Sequence, residues 1–82
     1  IVLEFDERVM NPVIDKFGLD ALVFKQEGVM MRAHVKAPLS PQFFGWLLQL
    51  TPWAKIVSPT NAQQKYTEWL KDTLDMYAED QR

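Results

Sequence analysis

The chain has 82 residues, a length for one domain, and 48% of them are apolar, including five Phe, three Trp and two Tyr. Nine basic against eleven acidic side chains leave a net charge of −2, which argues against a module that grips nucleic acid through its phosphates. Cysteine is absent, which excludes disulfides, thiolate metal sites and a cysteine nucleophile together, and no apolar run reaches membrane-spanning length.

No signal peptide is visible, and the lack of cysteine fits a reducing compartment, so the expected location is cytoplasmic. A core built from so short a chain is small, and its stability is expected to lean on a partner. The abrupt start at Ile1, already in a strand-like pattern, reads as a single domain (residues 1–82) excised from a longer protein.

Ile1 to Asp6 alternates, with Ile1, Leu3 and Phe5 on one face and Val2, Glu4 and Asp6 on the other, which predicts a half-buried strand. Met10, Val13, Ile14 and Phe17 then line one face of a helix. Either Asp6 caps that helix, or it starts later with Asn11 as cap and Pro12 in the first turn. Gly18 stops it in both cases. Ala21 to Gln26 and Val29 to Ala37 are two β-rich runs joined at Glu27-Gly28, a hairpin in which Gly28 supplies the positive φ. In the second run Val29, Met31, Ala33 and Val35 face one way, and Met30, Arg32, His34 and Lys36 the other.

Ser40-Pro41 predicts a helix start, a hydroxyl cap followed by Pro where its missing N–H is harmless. That helix runs to Leu50 and is apolar nearly all round, with Phe43, Trp46, Leu47 and Leu50 on one side and Phe44 and Leu48 on another. A short strand follows from Ala54 to Val57. Ser58-Pro59 repeats the capping device, and Ala62, Tyr66, Trp69, Leu70, Thr73 and Tyr77 form the inner stripe of a last helix. The order β-α-β-β-α-β-α predicts an α+β fold, a ferredoxin-like β-α-β-β-α-β sandwich with an additional C-terminal helix. Its first and third strands lie centrally, and right-handed crossovers put the first two helices on one sheet face.

The stretch Trp46-Leu47-Leu48-x-Leu50, followed by Trp53 and by Ile56-Val57-Ser58-Pro59 and an amphipathic helix with Tyr66, resembles a known module. So do the opening strand from Val2 to Phe5 and the step Arg8-Val9 to Pro12. Together they resemble the C-terminal extension (WCX) that follows WYL domains in bacterial transcription regulators of the DeoR-like helix-turn-helix type, over almost the whole chain. The resemblance implies an accessory domain that senses an effector or partner and helps build a homodimer. It would dock on the WYL domain of its own or the partner subunit, and couple to DNA-binding heads that lie in a missing N-terminal domain. The chain carries no dense arginine surface, which argues against direct contact with a nucleic-acid effector.

Arg32, His34 and Lys36 on one face of the third strand, with Lys25 on the neighbouring strand, read as a ligand-contacting or domain-docking surface. The alternative is a solvated sheet face with cross-strand charge pairs to Glu4 and Asp6, each worth about a few tenths of a kcal/mol. The central sheet positions hold Val2, Glu4, Met30 and Arg32 rather than stacking aromatics, unlike an RNA-binding sheet. A lone histidine, His34, with scattered carboxylates offers neither a catalytic set nor metal-ligand spacing, so no enzyme activity, metal or cofactor is expected. Phe44, Leu48 and Trp53 fall off the inner helix stripes and are the expected protein-interface residues. A stand-alone ACT-like sensor that binds a small molecule at a sheet-to-sheet dimer remains the second reading.

Overall fold

A computed structural model describes residues 1–18, 21–25, 28 and 30–80, with backbone alone for residues 22–25 and 80. Strand β1 (Val2–Asp6) leads through a 3-10 turn (Glu7–Val9) into helix α1 (Met10–Phe17). Asp6 caps that turn, its carboxylate accepting from the Arg8 N–H. Pro12 therefore sits in the first turn of α1, where no backbone N–H is needed, and neither Asp6 nor Asn11 caps the helix directly. Gly18 ends α1 with φ +86°, its N–H donating to the Ile14 carbonyl at 2.7 Å.

Strands β2 (Leu22–Lys25) and β3 (Met30–His34) follow, and Gly28 between them has φ +61°, as a tight hairpin requires. Glu27, the other expected turn residue, lies outside the described residues. Helix α2 (Pro41–Gln49) starts at the expected cap, with Ser40 Oγ accepting from the Phe43 N–H. Strand β4 (Ala54–Ser58) runs one residue further than the spacing predicts, because Ser58 pairs with Val2. Ser58 is thus a sheet residue rather than a helix cap. Helix α3 (Thr60–Asp80) begins beyond it, with the Pro59 carbonyl accepting from the N–H groups of Ala62 and Gln63.

The sheet order is β2-β3-β1-β4, with every neighbouring pair antiparallel. One core fills the helix-bearing face: Leu3 and Phe5 from β1, Ala33 from β3, Ile56 from β4, Val13 from α1, and Phe43, Phe44 and Leu47 from α2. Helices α1 and α2 touch edge-to-face through Phe17 and Trp46, ring centroids 5.4 Å apart. Helix α3 joins this body by its first half only. Ala62 is fully buried, Tyr66 and Trp69 lie against Phe44 at 5.3 and 5.6 Å, and Gln63 donates to the Ile56 carbonyl of β4 at 2.8 Å. Burial pushes the Tyr66 hydroxyl pKa up, and its hydrogen bond with Thr51 works the other way.

From Lys71 to Glu79 every side chain of α3 is exposed. A helix with no Gly or Pro holds its form there by local propensity and continuity with the packed half. The molecule is accordingly elongated, 46 × 22 × 21 Å. Among the described residues no helix is long and apolar enough to cross a membrane.

Candidate functional site

The sheet face away from the helices carries a row of charges across three strands. The register sets Glu4 between Arg32 of β3 and Lys55 of β4. Arg32 Nη2 and Nε lie 3.3 and 3.4 Å from Glu4 Oε2, and Lys55 Nζ lies 3.9 Å from Glu4 Oε1. Arg32 is therefore already partnered by a half-buried carboxylate, the cross-strand pairing of an ordinary solvated sheet face.

The other expected members of the surface do not join Arg32 as one set. His34 lies opposite Val2, and Lys36 lies past the end of β3. In the register Lys25 is opposite Met31, and Phe24 is the residue opposite Arg32; the Lys25 side chain lies outside the described ones. Both pairings lie on the turn side of a register shift between Leu22 and Phe24 and share one register, which alternation along either strand does not reveal. Among the described residues no grouping of His, Asp and Glu could hold a metal ion.

At the far end of the sheet, Asp6, Arg8 and Trp53 form a small knot. The Asp6 N–H donates to the Trp53 carbonyl at 2.8 Å, and Arg8 Nε lies 3.2 Å from Asp6 Oδ1. The guanidinium stands 5.0 Å from the centre of the Trp53 ring, a cation–π contact. The Arg8 backbone N–H, followed by its guanidinium, holds the Asp6 carboxyl below the usual carboxylate range.

The expected interface residues divide. Phe44 is only 4% exposed, and Tyr66 and Trp69 cover it, so it is a core residue and not a free surface anchor. It falls off the stripe that faces the sheet because it faces α3 instead. Leu48 and Trp53 are on the surface, at 43% and 39% exposure, with Arg8 over one face of the Trp53 ring. The larger apolar surface lies elsewhere, on the outer half of α3. Leu74, Met76 and Tyr77 are 67%, 68% and 65% exposed, and Leu70 joins them to the packed half. Leu70, Leu74 and Tyr77 stand at i, i+4 and i+7, the legible signal for this stripe. Charges at Lys71, Asp72, Asp75 and Glu79, with Thr73 and Ala78, occupy the remaining positions.

A third feature opens between the C-terminal end of α1, the segment after β3 and the start of α2. Two adjoining hollows of about 300 and 400 Å³ share Lys16, Phe17 and Lys36. Lys16 Nζ lies 5.3 Å from the Trp46 ring centre and 5.9 Å from that of Phe17. Nothing in the sequence pattern singles out Lys16, because a lone cation at a helix end is common.

Comparison of the chain with protein-family models, with curated proteins and with solved structures finds no match. The geometry and the residues themselves carry the functional reading.

Proposed function

We propose that the chain is a non-catalytic accessory module of a WYL-type transcription regulator, and that it works by association. The observation that carries this reading is α3. Its apolar stripe is anchored on Phe44 and then continues off the body with Leu74, Met76 and Tyr77 in water. A contiguous apolar helix face of this kind marks a contact surface. The strand order β2-β3-β1-β4, antiparallel throughout, is the order that two interlocked β-α-β units produce, and it supports the ferredoxin-like assignment. The residues from Trp46 to Pro59 that resemble the WCX extension supply the packing turn that seats α3. In this reading α3 pairs with a second subunit or its WYL domain, and effector binding shifts that contact and the DNA-binding heads with it.

The test is the solution mass of the 82-residue chain by light scattering over a concentration series, with Leu74→Glu/Tyr77→Glu beside the wild type. A dimer that the double substitution dissociates, with helical content unchanged, is the expected result. A chain that stays monomeric throughout, or a dimer indifferent to both substitutions, overturns the role given to α3.

A further inference from the structure

We infer that the cleft between Lys16 and Lys36 binds a small anionic molecule, one phosphate or carboxylate group attached to a flat apolar body. Its two hollows meet at Lys16, Phe17 and Lys36, with Gln42, Pro38 and Phe43 on one side and His34 on the other. Among the described residues no carboxylate lines either hollow, and Asp15, next to Lys16 in sequence, does not line them.

In a chain with eleven acidic and nine basic side chains, a hollow whose described lining carries two lysines and no carboxylate is the local exception. The three ion pairs among the described residues use Arg8, Arg32 and Lys55, and none of them engages Lys16 or Lys36. Lys16 rests on the rings of Trp46 and Phe17 instead. A cation held on aromatic faces keeps its hydrogen-bond donors for a ligand. An anionic group between the two ammonium groups accepts charge-assisted hydrogen bonds, and its apolar body lies along Phe17 and Pro38. At the N-terminal end of α2 the Phe43 N–H is already used by Ser40 Oγ, so that donor is not offered to a ligand. The combined size is that of a small-molecule site. The cleft is independent of α3, so this test and the mass measurement fail separately.

The experiment is an NMR titration of the ¹⁵N-labelled chain with phenyl phosphate, benzoate, inorganic phosphate and neutral benzyl alcohol. Expected are saturable shifts at the amides of Lys16, Phe17, Lys36 and Gln42 with phenyl phosphate or benzoate, and none with benzyl alcohol. Whichever of the two aromatic anions binds more tightly assigns the anionic group. Lys16→Gln/Lys36→Gln should weaken binding at least tenfold, Lys16→Arg/Lys36→Arg should retain it, and Lys65→Gln/Lys71→Gln on α3 should leave it unchanged. No saturable shift at millimolar probe overturns the inference. So does an equal loss in the α3 pair, which would make the attraction a matter of net charge.

Discussion

Replacing Phe44 by Ala tests how α3 is fastened. The ring is 4% exposed and has three aromatic neighbours, Tyr66, Trp69 and Phe43, with centroids at 5.3, 5.6 and 6.1 Å. A buried Phe→Ala change costs about 3–5 kcal/mol in transfer and cavity terms, and each aromatic pair lost adds about 0.5–1.5 kcal/mol of its own. Partial collapse of α3 into the gap offsets some of this, so about 4 kcal/mol is expected. A domain of this length holds roughly 4–12 kcal/mol in total, so the loss is a third or more of the stability of the fold. On α3 itself, Tyr77→Ala removes a comparably large ring that is 65% exposed, and should cost less than about 0.5 kcal/mol in the monomer. Urea denaturation at low micromolar concentration, followed by circular dichroism, measures both. A Phe44→Ala loss below about 1 kcal/mol, or a Tyr77→Ala loss as large as that of Phe44→Ala, would refute the view that α3 is held by its first half alone.

Amide hydrogen exchange should divide α3 in the same place, with slow exchange up to Leu70 and much faster exchange from Lys71 onward, where nothing covers the helix. Glu4→Gln removes the charge between Arg32 and Lys55 and should cost about 0.5–1 kcal/mol by urea titration, less at high salt; a loss above about 2 kcal/mol contradicts a solvated sheet face. Because the Asp6 pKa is lower folded than unfolded, its contribution is whole above the ordinary carboxylate value near 3.8 and disappears as pH falls through the folded value. Asp6→Asn should therefore narrow the stability gap between pH 6 and pH 2.5, and an unchanged gap counts against the Arg8 contact. Gln63→Ala loses the 2.8 Å bond to the Ile56 carbonyl and should cost about 1 kcal/mol, which thermal unfolding detects.

The local elements were legible because their signals are local. Alternation in β1 and β3, Gly18 and Ser40-Pro41 each act within a few residues, and each marks its element, although β3 stops at His34, short of the run to Ala37 that the alternation predicts. What the pattern hides is distance. The stripe of α3 identifies which side of the helix is apolar, but the length of the body it lies on decides where burial stops. Thr73 and Tyr77 continue the stripe of Ala62, Tyr66 and Trp69 yet sit in water. Phe44 shows the converse, a residue off one stripe that a third helix covers. Phe24, and not Lys25, stands opposite Arg32, and the register between two strands leaves no trace in either strand's own alternation.

The contact of Gln63 with Ile56 has a consequence for how copies of the molecule meet. An open antiparallel sheet presents hydrogen-bonding groups along both outer strands, and such margins invite further strands and amyloid-like stacking. Here a side-chain amide from α3 occupies a carbonyl of outer strand β4, and the helix lies alongside it. Strand addition on that margin must first displace the helix. That margin is thereby less open to a further strand than its backbone alone would make it.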